Sequence, residues 1–156
     1  KKYLELAGKG DKIIDLGCGV SPFLDRARNN FRMCYGLDIS QKTIDCAKKK
    51  YPKVFYCHSS LSPAILFDNE FDISVAGELI EHLEYPERLV DLMVRITKRR
   101  IIISTARMEY NDPEHLWEFT KEDLEKLGKP YGKVNVEEIK SKRFPGRSYL
   151  FLTIDL

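Results

Sequence analysis

Glu78, Glu81 and His82 form the pattern E-x-x-E-H. On a helical turn, Glu78 and Glu81 lie three apart and Glu78 and His82 four apart, so all three can share one face. Carboxylates and an imidazole on one face can ligate a divalent ion, or act as a base and the group that orients it. A fourth group is His115, inside Glu114-His115-Leu116-Trp117-Glu118-Phe119-Thr120. The candidate catalytic residues are therefore Glu81, His82 and His115. The candidate ligands for a divalent metal are Glu78, Glu81, His82 and His115.

A second constellation begins at Ile13-Ile14-Asp15-Leu16-Gly17-Cys18-Gly19-Val20-Ser21. An apolar run ends in a carboxylate, and the chain then turns through two glycines. Gly17 and Gly19 can take positive φ and let a ligand approach bare backbone. Asp38 follows Gly19 by 19 residues. At the end of a second strand, its carboxylate can accept hydrogen bonds from both hydroxyls of a ribose lying across the glycine turn. A pyrophosphate usually needs GxGxxG. The continuation Gly-Cys-Gly-Val-Ser-Pro lacks the third glycine, so a nucleoside is favoured over a dinucleotide.

These residues must be held by an alternating scaffold. The pattern predicts strands over 12–16, 33–37, 54–57, 71–76 and 101–104. Helices are predicted over 22–30, 40–50, 86–97 and 121–127, with a helical turn over 79–84. Ser21 is placed as a helix N-cap with Pro22 at the first helical position, Ser40 as another N-cap, and Thr120 as a third with Asp123 as its capping-box partner. Strands over 134–139 and 149–154, joined through Pro145-Gly146, form a hairpin. The fold class is α/β: one domain over residues 1–156, a three-layer αβα doubly wound sheet of seven strands, parallel except for an antiparallel last strand. In such a sheet ligands bind outside the carboxyl ends of the strands. Asp15–Ser21, Asp38, 58–61, 77–82 and 105–115 all fall there.

The chain has 156 residues, 43% hydrophobic and 32% charged, as a globular domain should. No apolar run approaches membrane-spanning length and no signal peptide opens the chain, so no membrane partner is expected. Cys18, Cys34, Cys46 and Cys57 form no CxxC pair. Buried thiols in a reducing cytoplasm are expected. The balance of 26 basic against 24 acidic residues argues against a domain that grips a nucleic-acid backbone unaided. Lys98-Arg99-Arg100 lies at the far end of the sheet and reads as a solvated run. Only Arg143 and Arg147 are credible substrate contacts. The residues ahead of the first strand are too few for lid helices, so the site is open or is covered by something preceding it.

Asp15-Leu16-Gly17-Cys18-Gly19, Asp38-Ile39-Ser40, Phe71-Asp72-Ile73 and Glu78-Leu79-Ile80-Glu81-His82-Leu83 resemble, in order, the motifs of class I S-adenosylmethionine-dependent methyltransferases. The resemblance implies S-adenosylmethionine as cofactor. Asp15, Gly17, Cys18 and Gly19 would line its methionine half. Asp38 would hold the ribose, Ile39 would pack on the adenine, and Ser60 and Leu61 would sit at the adenine edge. Gly77 and Glu78 would form the floor beside the methyl group. The chain departs from the pattern at Ser21, where a third glycine is frequent, and at Ser60, where an aspartate often accepts from the adenine amino group.

The E-x-x-E-H stretch with a later histidine is similar to two groups within the family. Ubiquinone-pathway and related O-methyltransferases imply a small-molecule acceptor, methylated on oxygen or nitrogen. The small-RNA 3′-end 2′-O-methyltransferases imply RNA as partner and Mg or Mn at Glu78, Glu81, His82 and His115. A non-catalytic cofactor-binding partner subunit is a third reading.

Overall fold

A computed structural model describes residues 1–62, 65–107, 113–141, 144 and 146–156. The element order is α1 (Lys2–Ala7), β1 (Gly10–Leu16), α2 (Phe23–Ala27), β2 (Phe31–Asp38), α3 (Gln41–Lys50), β3 (Phe55–His58) and β4 (Phe71–Gly77). A 3-10 turn (Ile80–His82) follows, then α4 (Pro86–Ile96), β5 (Thr97–Arg107), α5 (Lys121–Gly128), β6 (Lys133–Lys140) and β7 (Ser148–Asp155). The seven strands run in the order β3-β2-β1-β4-β5-β7-β6. All pairs are parallel except those made by β7, which is antiparallel to β5 and β6. The expected fold class and the terminal hairpin are therefore both present.

The order reverses between β1 and β4. The chain leaves β1 toward β2 and β3, then returns to the other side of β1 with β4. The loops after β1 and β4 diverge there and open a crevice. Both strands are buried on both faces, as a central parallel strand must be, which explains the runs Ile13-Ile14 and Ile73-Ser74-Val75-Ala76. One core gathers Leu16, Leu37, Ile80, Val90, Met93, Ile101 and Leu152 on one face of the sheet. The other gathers Ile13, Phe23, Ala27, Ile44, Val75, Ile102 and Phe151. In α4, Leu89, Val90, Met93 and Ile96 recur at helical spacing and are all buried behind Pro86 at the first position.

Local chemistry sets the helix starts. The Ser40 side chain accepts from the Thr43 N–H at 3.2 Å. Thr120 and Asp123 complete a reciprocal capping box. The start of α2 is one residue later than expected, at Phe23. Ser21 nonetheless receives an N–H, that of Phe23 at 3.2 Å.

Three expectations change. β5 begins at Thr97, so Lys98, Arg99 and Arg100 lie within the strand. Arg99 donates to the Lys9 carbonyl at 2.6 Å, and Arg100 donates to the Leu6 carbonyl at 2.7 Å and pairs with Asp155. Arg99 and Arg100 thus tie α1 and the turn after it to the foot of the sheet, while Lys98 is solvent-exposed as expected. The segment ahead of β1 is a helix that reaches the ligand end of the sheet through Tyr3, described below. Of the four free cysteines, Cys18 and Cys34 are buried but Cys46 and Cys57 are exposed. Cys46 lies on the outer side of α3 and Cys57 on the edge strand β3.

Candidate functional site

β1 ends on Asp15, and the chain turns at once through Gly17 at φ 70° and Gly19 at φ 54°. Both lie in the left-handed region that favours glycine. The turn is pinned to the end of β2, because the N–H groups of Gly17 and Cys18 both donate to the Leu37 carbonyl, at 2.8 and 3.0 Å. A Cβ on Gly19 would meet no atom within 4 Å, so the space beside the turn is open. Cys18 is buried beneath it, where burial and the nearby carboxylates push its thiol up to about 12. That thiol stays protonated and inert.

Asp38 closes the turn from β2. One carboxylate oxygen accepts the Gly19 N–H at 3.0 Å and the other accepts the Ser40 N–H at 2.9 Å. Each oxygen keeps lone-pair capacity for a hydroxyl. Next to it, Ile39 is 72% exposed, an apolar plate beside a polar anchor. A cleft of about 350 Å³ opens here, lined by Gly17, Leu37, Asp38, Ile39, Ser59, Ser60, Leu61, Leu79 and Leu83. Ser60 and Leu61 both line this cleft. Leu79 and Leu83 are wall residues that the sequence reading missed, although their spacing of four within Glu78–Leu83 was a usable signal.

The electrostatics of the cleft favour a cation. Asp15 is buried at the end of β1, and burial, reinforced by the charge of Asp38, raises its carboxyl to about 8. No cationic side chain among the described residues offsets this. An ammonium or sulfonium ligand would return Asp15 to its ionised form.

Gly77 is the last residue of β4. A Cβ there would collide with the hydroxyl of Tyr3, so bare backbone lets α1 close over the strand end. The Tyr3 hydroxyl is bonded to Ser104 Oγ, and its ring packs against Phe23 and Phe151 at 5.3 and 5.2 Å. Nothing in the sequence marks Tyr3. Its role depends on α1 folding back over the ends of β4 and β5.

Beyond Gly77 the backbone enters the left-handed region at Glu78, φ 52°, and then forms the 3-10 turn. This corrects the shared helical face. Glu78 lies outside the turn and carries its carboxylate toward Arg147, at 3.9 Å, while Glu81 and His82 go elsewhere. Burial raises the Glu78 carboxyl above its usual range, with Arg147 opposing.

Glu81, His82 and His115 do converge. Their donor atoms all lie within 4.8 Å of one another, and Glu78 is not among them. Glu81 is fully buried. Its Oε1 accepts the Ala106 N–H at 3.2 Å, whereas Oε2 is buried with no hydrogen-bond partner among the described residues. Residues 114–117 are fastened over it. The Glu81 carbonyl accepts the Leu116 N–H at 2.8 Å, His82 Nδ1 bonds the Glu114 carbonyl at 2.8 Å, and Trp117 Nε1 donates to the Leu83 carbonyl at 2.8 Å. A carbonyl only accepts, so His82 Nδ1 carries the hydrogen and Nε2 is the basic atom. The two imidazoles meet edge to face at 4.9 Å. One buried carboxylate oxygen beside two imidazoles can take up a proton, or supply three ligands to a small divalent ion. Of the residues expected to contact substrate, Arg147 stands at this end of the sheet, and Arg143 lies outside the described residues.

Comparison with known proteins agrees with this geometry. Residues 14–104 match the sequence model of a family described as a methyltransferase domain. A Mycolicibacterium smegmatis protein named as a probable S-adenosylmethionine-dependent methyltransferase is 28% identical over 137 residues, covering 80% of this chain and 53% of that protein. A ubiquinone biosynthesis O-methyltransferase of Coxiella burnetii is 27% identical over 95 residues, 57% of this chain and 41% of that enzyme. The chain thus matches about half the length of these relatives or less. Among solved structures, magnesium protoporphyrin IX methyltransferase from Synechocystis, with bound SAH, superposes with a TM-score of 0.77 at 16% identity, covering 99% of this chain and 78% of that one. At that identity the likeness is one of fold.

Proposed function

The chain belongs to the class I S-adenosylmethionine-dependent methyltransferases, and on that premise we propose that it transfers a methyl group to an oxygen or nitrogen of a small-molecule acceptor in the cytoplasm. The cofactor supplies a methyl already activated on a sulfonium, so the protein's task is alignment, exclusion of water and removal of the acceptor's proton. Asp15, Gly17, Cys18 and Gly19 line the methionine half, and buried Asp15 answers its positive charge. Asp38 takes the ribose hydroxyls on the oxygens that already hold the turn. Ile39, Ser60 and Leu61 enclose the adenine, and Gly77 and Glu78 form the floor. Glu81, His82 and His115 receive the acceptor's proton.

The observation that carries this reading is the Glu81 carboxylate, which lies beside two imidazoles at the ligand end of the sheet and whose Oε2 is buried without a hydrogen-bond partner among the described residues. Such an atom is costly unless the site uses it. The near balance of charge supports a small acceptor over a polyanion. The name of the Coxiella burnetii relative supports oxygen as the acceptor atom. The test is methyl transfer from labelled S-adenosylmethionine to a fractionated metabolite pool, with an RNA pool in parallel. Label in a small-molecule fraction is expected. Label in RNA alone contradicts the reading.

A second reading has its own observation. Glu81, His82 and His115 form a His₂-carboxylate set that fits a divalent ion, with one Glu81 carboxylate oxygen as a ligand. Mg or Mn bound there would lower the pKa of an acceptor hydroxyl, as in a metal-dependent RNA 2′-O-methyltransferase. Turnover abolished by EDTA and restored by Mn²⁺ would support it. Cofactor binding without any turnover would instead support a non-catalytic partner subunit.

A further inference from the structure

Arg147 precedes β7, at the end of the sheet where β1, β4 and β5 leave their loops. Its guanidinium lies 5.5 Å from the Tyr149 ring and 5.9 Å from the Phe144 ring. Its sole ion-pair partner among the described residues is Glu78, at the long distance of 3.9 Å through a terminal nitrogen. The Nε is buried with no hydrogen-bond acceptor among the described residues. A guanidinium offers its Nε–H and a terminal N–H as a fork that matches two oxygens of a carboxylate or phosphate. Here that fork is fixed by aromatic rings and only loosely balanced by charge. Arg107, opposite Ser148 in the β5–β7 ladder, adds a second cation at the same edge, although Glu138 shares it at 3.6 Å.

We propose that Arg147 is the anion subsite of the acceptor pocket, so that the acceptor carries a carboxylate or phosphate that docks on the Arg147 fork. This rests on the methyltransferase reading above. It narrows the acceptor class from any small molecule to an anionic one. The anion displaces Glu78 from its long contact and supplies the acceptor that Nε lacks. Held there, the rest of the molecule extends toward Gly77 and the Glu81-His82-His115 group.

The experiment is a titration of the wild-type protein and of Arg147→Met and Arg147→Lys, each saturated with S-adenosylhomocysteine. The probes are benzoate, phenyl phosphate, inorganic phosphate and neutral benzamide. At least one anion is expected to bind the wild type, at least tenfold more weakly to Arg147→Met and at an intermediate level to Arg147→Lys, while benzamide binds no better to wild type than to Arg147→Met. Benzoate against the two phosphates tells which anion the fork prefers. S-adenosylhomocysteine binding by each variant shows that it is folded. Anion binding unchanged in Arg147→Met, benzamide binding as well as benzoate, or no anion binding at ~10 mM would overturn the proposal. So would an anion that S-adenosylhomocysteine displaces, since that assigns Arg147 to the cofactor's own carboxylate. Failure of the wild type to bind S-adenosylhomocysteine overturns the methyltransferase reading as well, so the two failures are distinguishable.

Discussion

The Asp38 carboxylate receives the N–H of Gly19 at 3.0 Å, which makes the end of β2 the clasp of the turn that follows β1. One side chain thus shapes the glycine turn and presents its remaining lone pairs to the cleft. Asp38→Ala should weaken S-adenosylmethionine binding by about 1.5–3 kcal/mol, the scale of hydrogen bonds to a charged group. Isothermal titration measures it. Unchanged affinity would remove Asp38 from the ribose site.

The pH dependence follows from Asp15. Its ordinary value of 3.8 is raised to about 8 in the folded chain by burial and by Asp38. The folded state therefore holds this proton more tightly than the unfolded state does. Stability is fully present below about pH 4, declines as pH climbs, and levels off above about pH 8. Asp15→Asn should raise the melting temperature of the cofactor-free protein at pH 8–9 and leave it nearly unchanged near pH 4. Melting curves across that range decide the point. A stabilisation equal at both ends would show that Asp15 is not the titrating group. Wild-type affinity for the cationic cofactor should also rise with pH through this window, because binding requires the ionised carboxylate.

Glu81→Gln keeps an oxygen for the Ala106 N–H and removes the base. Single-turnover transfer should fall by ~10²–10⁴-fold, the usual worth of a general base. Cofactor affinity should change little. His82→Ala and His115→Ala should also slow transfer, and His82→Ala should in addition loosen residues 114–117 by removing the Glu114 contact. Transfer unchanged in Glu81→Gln, or a loss of transfer accounted for by weakened cofactor binding, would place Glu81 in the wrong role.

Gly77 and Tyr3 should be coupled. Gly77→Ala drives a methyl into the Tyr3 hydroxyl and should cost about 1–3 kcal/mol, the usual range for overpacking. Tyr3→Phe removes the nearest atom and leaves a ring carbon 3.1 Å from the new Cβ. The same Gly77→Ala change should therefore cost less in that background. Denaturant midpoints of the four proteins give the coupling. Strict additivity would mean that α1 does not rest on Gly77.

The parts of the site that were legible in sequence are those set by local backbone chemistry. Gly17 and Gly19 announce a turn because only glycine suits their φ, and Asp38 announces itself by ending a strand at a fixed spacing from it. The order of apolar runs yielded the sheet because β1, β4 and β5 are buried on both faces. What depended on long-range packing was hidden. Tyr3 matters only because α1 folds back onto β4 and β5. Glu78 leaves the face of Glu81 and His82 because the turn is a 3-10 turn entered through a left-handed residue, and residue spacing alone cannot distinguish this from an α-helical turn. The contacts of Arg99 and Arg100 were hidden because the carbonyls of Lys9 and Leu6 are backbone atoms with no sequence signature and Asp155 is distant in the chain.

Titration of the wild-type protein with S-adenosylmethionine and S-adenosylhomocysteine, beside Asp38→Ala, tests the central claim most directly. Saturable one-to-one binding of both, weakened in Asp38→Ala, is the predicted result. Absence of binding by the folded wild-type protein would contradict it.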